Sequence, residues 1–256
     1  MASKPAIVLS PGSFSKVSLY AHFVYQLHQA GYDRIEVVRL PSLGKRDPLP
    51  AATMEDDANE IRKVIEQVSN DGFDVLLMAH SYGGIPATES VKGVTKKERA
   101  AQGKPGGVVR ILYTTAVVPD LGGDLASVMG DGIPSSIRID GEYMTHVDVG
   151  PLIETCFNDM PYEEALPWAK RFGQHSAISF GGKLTYQGYK DVPVSYMFCE
   201  NDKCVLPRMQ QAGIDFVEKA SGRKVDVYRY NVDHIPYFGK IDCVVDAVNR
   251  AASEQN

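Results

Sequence analysis

Two hydrophobic rhythms run along this chain, and the switches between them outline its elements. Ala6-Ile7-Val8-Leu9 is a short unbroken apolar run closed by Pro11-Gly12, the pattern of a buried strand that ends in a turn. Tyr20, Phe23, Val24 and Leu27 then return at helical spacing, with Gly31 as a stop. Residues 35–40 read as a second strand, and Pro41, Pro48 and Pro50 hold off further helix until Thr53. From there Met54, Ala58, Ile61, Ile65 and Val68 share one helix face, opened by a Thr53-x-x-Asp56 capping pattern. Residues 73–78, 108–113, 193–199 and 225–230 supply four more strands. Helices are predicted just after Gly84, over 206–220 and over 237–252.

Strands that alternate with helices are joined by crossovers, which place helices on both faces of the sheet. The pattern therefore predicts an α/β protein with a mostly parallel sheet flanked by helices. The rhythm lapses between 121 and 190, where Gly, Pro and aromatic residues are scattered among short helical patterns. That stretch is read as a helical cap inserted into a core made of residues 1–120 and 191–256. Pro161-x-Glu163-Glu164-Ala165, with Trp168, predicts one short helix within it.

Composition narrows the classes. The 256 residues are 44% hydrophobic and 23% charged, ordinary globular usage that supports a sizeable core. A net charge of -5 lacks the basic footprint of a nucleic-acid binder. Lys96, Lys97 and Arg99 are interleaved with Glu98, Gln102 and Gly103 and read as a solvated surface loop. No apolar stretch reaches the roughly 18 residues of a membrane span. Met1-Ala2-Ser3-Lys4-Pro5 has no secretory leader pattern, so a soluble cytoplasmic protein is expected. Cys156, Cys199, Cys204 and Cys243 show no metal-ligand spacing and are expected as free, packed thiols.

The chemistry centres on Ala79-His80-Ser81-Tyr82-Gly83. A serine hydroxyl needs a base, a group to orient that base, and donors for the oxyanion. Ser81 follows an apolar strand and precedes a helix, where small neighbours allow a sharp turn that lifts the side chain over the sheet edge. Ala79 takes the place usually held by glycine. His234 follows the last strand and is the candidate base; His22, His28, His80, His146 and His175 suit packing, capping or pocket lining better. Asp202, just past the strand at 193–199, is the candidate acid, with Glu200, Asp233 and Asp120 as rivals. The backbone N–H groups of Ser13 and Tyr82 are the expected oxyanion donors. Phe14, Tyr82, Met129, Tyr143, Phe157, Trp168 and Phe180 are candidates for an apolar pocket, with Phe14 and Trp168 foremost. No glycine-rich dinucleotide loop, P-loop lysine or His-Glu-x-x-His stands in the sequence, so no cofactor and no catalytic metal are expected.

Taken together, Ile7-Val8-Leu9-Ser10-Pro11-Gly12-Ser13, Ala79-His80-Ser81-Tyr82-Gly83-Gly84, Cys199-Glu200-Asn201-Asp202 and Asp233-His234 resemble the α/β-hydrolase superfamily over nearly the whole length. The likeness is to the small capped branch that includes plant methylesterases and hydroxynitrile lyases. The resemblance implies Ser81 as nucleophile, Asp202 as acid, His234 as base, and Ser13 with Tyr82 as the oxyanion pair. Pro11-Gly12 departs from the branch's common His-Gly. Ester hydrolysis of a small-molecule substrate is the first expectation. Non-hydrolytic lyase or cyclase chemistry on the same triad is the alternative, and a catalytically silent receptor a third. The hydroxynitrile-lyase lysine has no counterpart that can be aligned. A homodimer is compatible with the sequence, which does not specify oligomeric state.

Overall fold

The strand β1 (Ala6–Ser10) is buried at every position, as a strand covered by helices on both faces must be. The structure, a computed structural model, describes residues 4–130 and 132–254; Met1, Ala2 and Ser3, part of the N-terminal reading above, lie outside them. After β1 come α1 (Ala21–Gln29), β2 (Ile35–Val37), α2 (Met54–Asn70), β3 (Asp74–His80), α3 (Gly84–Ser90), α4 (Lys96–Ala101) and β4 (Gly107–Thr114). An excursion follows, holding α5 (Leu125–Met129), β5 (Ile137–Asp140), β6 (Tyr143–His146), α6 (Gly150–Cys156), α7 (Tyr162–Ala169) and β7 (His175–Ser176). The chain then returns through β8 (Val194–Cys199), α8 (Pro207–Ser221), β9 (Asp226–Tyr230), α9 (Pro236–Gly239) and α10 (Ile241–Ser253).

Six strands form one sheet in the order β2-β1-β3-β4-β8-β9, every neighbouring pair parallel. Because successive strand side chains point to opposite faces, each strand feeds two cores. Val8, Leu77, Ile111 and Tyr196 pack with Ile61 and Ile65 of α2 and Ile214 of α8. Ile7, Leu76, Leu112 and Met197 pack on the other side with Phe23 and Leu27 of α1 and Val244 and Val248 of α10. The predicted parallel sheet with helices on both faces is therefore the observed architecture.

In α2, Ile61, Ile65 and Val68 are buried, and each contributes about 1.5–3 kcal/mol on leaving water. The Thr53–Asp56 capping box, complete in both directions, is worth about 1 kcal/mol. Packing thus holds the helix, and the cap fixes where it begins.

Four expectations are corrected. Strand β2 stops at Val37: Val38 still donates to Leu9, after which the chain turns away. The basic stretch read as a loop contains α4, capped by Thr95 and Glu98, and Arg99 is buried with its guanidinium on Pro105 and Asn70. The helix expected over 237–252 is broken at Lys240, where φ is -136°. The excursion between β4 and β8 is not simply helical, since β5, β6 and β7 form a small antiparallel sheet alongside its three helices. Those strands have four, four and two residues, too few for alternation to register.

The excursion is tied back to the core by Glu89 of α3, whose carboxylate accepts from Thr185 N–H and Oγ1–H and from Tyr186 N–H at 2.6–2.9 Å. Glu89→Ala strands these donors and is expected to cost about 1–3 kcal/mol. Urea unfolding should show a lower midpoint at an unchanged m-value.

Candidate active site

Ser81 stands where β3 gives way to α3, at the carboxyl end of the sheet. Its φ is +53°, the left-handed region that a residue with a Cβ enters only under constraint. The constraint is a close approach of backbones. A Cβ on Gly83 would lie 2.5 Å from the Pro11 carbonyl oxygen and 2.6 Å from that of Ser10, so only glycine fits beside the loop after β1. Gly84 is equally confined, 2.4 Å from the Val117 oxygen. Ala79 is still strand, opposite Ser10 and Tyr113, and its methyl is absorbed by the core. The turn needs its glycines after the serine, which is why alanine before it is tolerated.

His234 lies in the loop between β9 and α9. Its Nε2 is 3.0 Å from Ser81 Oγ, and its Nδ1 is 2.7 Å from Asp202 Oδ2. All three residues are buried. The second oxygen of Asp202 accepts the N–H groups of Cys204 and Val205 at 2.7 and 2.9 Å, and Thr115 Oγ1 donates to Oδ2. Four donors hold the carboxylate in place. Its rivals lie otherwise: Glu200 is exposed, Asp120 binds Leu121 N–H and Gln187, and Asp233 accepts from Asp159 and Ile235 N–H.

The two histidines at the site have opposite surroundings. Burial, aided by the neighbouring His234 charge, pushes His80 down to about 3, so its ring is neutral. Its Nε2 faces the His234 carbonyl oxygen at 2.9 Å, which can only accept, so that nitrogen carries the proton. Nδ1 then accepts from the Tyr20 hydroxyl at 3.3 Å, and that hydroxyl accepts the Gly12 N–H at 3.3 Å. Burial also opposes charging of His234, but the Asp202 carboxylate together with the neighbouring Cys204 sulfur outweighs it and the imidazole is held well above its ordinary value. Environments that separate two neighbouring groups in this way give them separate roles.

A cavity of about 530 Å³ opens above Ser81, within the range of small-molecule sites. Ser13 and Tyr82 lie on its wall, and a Cβ on Gly12 would be 3.2 Å from that of Ser81, so the loop after β1 runs directly beside the serine. A hydroxyl bonded to an imidazole, itself bonded to a fixed carboxylate, is the arrangement for moving a proton off the serine.

The family model described as the alpha/beta hydrolase family matches residues 7–246. The chain belongs to that family. It is 34% identical over 251 residues to "Probable hydrolase R7" of Phoma sp., covering 98% of this chain and 99% of that protein. It is 29% identical over 260 residues to "Alpha/beta hydrolase nvfD" of Aspergillus novofumigatus, covering 98% of each. Among solved structures, a pyrethroid hydrolase from Sphingobium faniae superposes with a TM-score of 0.73 at 20% identity over 97% of both chains. A methylesterase from Arabidopsis gives 0.69 at 15% identity, over 97% of this chain and 99% of that one. At such identities the two structures share the fold.

Within this alpha/beta hydrolase the aromatic candidates divide. Phe14, Tyr82, Met129 and Phe180 line the cavity. Trp168, Tyr143 and Phe157 do not: Trp168 stacks on Phe238 at 4.5 Å and under Arg171, and Phe157 is fully buried against Phe172 and Phe238. Trp168, carried by α7, packs instead against Phe238 of α9.

Three supporting roles escaped the sequence. Thr115, with φ +39°, braces Asp202, and its one cue is its place just past β4 on the same sheet edge. His80, expected in packing, capping or pocket lining, does line the cavity, and only its hydrogen bonds to His234 and Tyr20 were missed. Asp57 is buried at the start of α2, where Tyr82 Oη donates to it at 2.8 Å and Ser42 N–H at 2.8 Å, and burial raises its pKa to about 6. An acid within the apolar face of a helix was its signal.

Gly83→Ala forces backbone apart at the turn and is expected to cost about 1–3 kcal/mol. Chemical denaturation measures the loss; an unchanged stability would show that the loop after β1 yields freely.

Proposed function

We propose that the protein is a serine hydrolase cleaving a carboxylic ester, lactone or thioester of a small apolar molecule through an acyl-enzyme on Ser81. The observation that carries this reading is the Ser81–His234–Asp202 hydrogen-bond chain opening onto a cavity with a mainly apolar wall. Ser81 Oγ attacks the carbonyl carbon as His234 Nε2 takes its proton. The backbone N–H groups of Tyr82 and Ser13 stabilise the oxyanion, each such donor being worth about 3–4 kcal/mol in the transition state. His234 then gives the proton to the leaving oxygen or sulfur. A water molecule, deprotonated by His234, attacks the acyl carbon and frees Ser81. Asp202 keeps the imidazole in the required tautomer throughout.

The esterase and hydrolase names of the relatives accord with this chemistry. Among the described residues no lysine lines the cavity, which disfavours a hydroxynitrile-lyase reaction. A fluorophosphonate is expected to label Ser81 and p-nitrophenyl acetate to turn over, both lost in Ser81→Ala. Folded wild-type protein that shows neither would overturn the proposal.

The base must be neutral to act, so activity falls as pH drops through the raised pKa of His234. The acid limb of kcat/KM is expected above the roughly 6.5 of a free imidazole. Asp202→Asn should lower kcat by about ten-thousand-fold and move that limb to lower pH. A limb unmoved in this variant would mean that Asp202 does not set the base.

A further inference from the structure

Two thiols stand beside the base and the reaction above uses neither. Cys156 ends α6, and its carbonyl accepts the Ile235 N–H at 3.2 Å, which fixes the end of that helix against the His234 loop. Cys204 follows Asp202, and its N–H is bonded to the Asp202 carboxylate. Both cysteines are free and both reach the cavity wall. One ligand atom from each, with one ring nitrogen of His234, all lie within 4.8 Å of one another. Three chain-distant segments converge here, so no spacing in the sequence could announce the cluster.

We propose that Cys156, Cys204 and His234 form a binding site for a thiophilic divalent cation, Zn²⁺ foremost, and that its occupancy switches the hydrolase off. Two sulfurs and one imidazole nitrogen are a donor set suited to zinc, with the fourth tetrahedral position left to water. At zinc bond lengths tetrahedral ligand atoms lie about 3.8 Å apart or less, so the three need draw in by only about 1 Å. His234 Nδ1 is committed to Asp202, which leaves Nε2 for the metal. A metal-bound histidine is ordinarily oriented by a carboxylate on its other nitrogen, and Asp202 already supplies that support. Binding releases the two thiol protons to solvent, and the lone pair of Nε2 passes from the Ser81 proton to the cation. Ser81 then has no base. The inhibition rests on His234 being the base of the proposed reaction; the binding does not.

The test is a cobalt titration of reduced wild-type protein followed by absorption. The expected result is a saturable thiolate-to-cobalt charge-transfer band with the visible bands of tetrahedral cobalt, displaced by Zn²⁺, retained in Cys243→Ser and lost in both Cys156→Ser and Cys204→Ser. X-ray absorption at the zinc edge of the wild-type protein should report two sulfur neighbours, a readout that needs no variant to fold. Absence of the band, its persistence in both serine variants, or a zinc shell without sulfur would overturn the site. In parallel, Zn²⁺ should suppress fluorophosphonate labelling of Ser81 in wild type, while Cys204→Ser labels equally with and without it. Full labelling of zinc-loaded wild type would overturn the inhibitory role. A cobalt band in protein that is never labelled, with or without metal, would instead count against Ser81 chemistry and leave the cation site standing.

Discussion

The turn after β3 is pressed so closely against the loop after β1 that a single methyl group on Gly83 has no room between them. The rest of the site depends on that contact. It holds Ser81 in a left-handed conformation, within hydrogen-bond reach of His234, and sets Tyr82 and Ser13 on the wall of the same cavity. The six-stranded parallel sheet gives the contact its rigidity. β1 and β3 are neighbours in register from Ala6 with Val75 to Ser10 with Ala79, so the two loops that leave their ends must meet.

Around this contact the polar groups give His80 and His234 different surroundings. Asp202 is saturated with donors from Thr115, Cys204, Val205 and His234, so it neither swings nor seeks another partner. His80 stays neutral and ties the His234 backbone through Tyr20 to Gly12, linking the His234 loop to the loop beside the serine. Buried polar chains of this kind are costly when broken and rigid when complete. The same packing brings the sulfurs of Cys156 and Cys204 within 4.8 Å of a ring nitrogen of His234 and of each other.

Much of this was legible in the chain because parallel strands buried on both faces leave apolar runs, as Ala6 to Leu9 and Val75 to Met78 do, and such runs need no tertiary information to be recognised. Ser81, Asp202 and His234 were legible for a related reason: each follows a recognisable strand, and strand ends of one parallel sheet share an edge. What failed to show was set by partners distant in sequence. The two-residue β7 exists only because β6 pairs with it. Trp168 looked like a pocket residue because it was an aromatic in the stretch read as a cap, yet Phe238 claims its ring. The hydrogen bonds of Thr115 and His80 are long-range and have no periodicity to betray them, whereas Asp57 was marked only by its place in the apolar face of α2. Arg99 and α4 were hidden by a charge run, although the Thr95–Glu98 cap was in plain view.

The proposed reaction requires Ser81 to become covalently acylated. Rapid mixing with p-nitrophenyl acetate, acid quenching before steady state and mass spectrometry of the intact and digested protein tests it most directly. A burst of p-nitrophenol is expected, matched by a single acetyl adduct on the peptide carrying Ser81, with no adduct in Ser81→Ala. Turnover without any adduct, or an adduct on another residue such as Cys204, would contradict it.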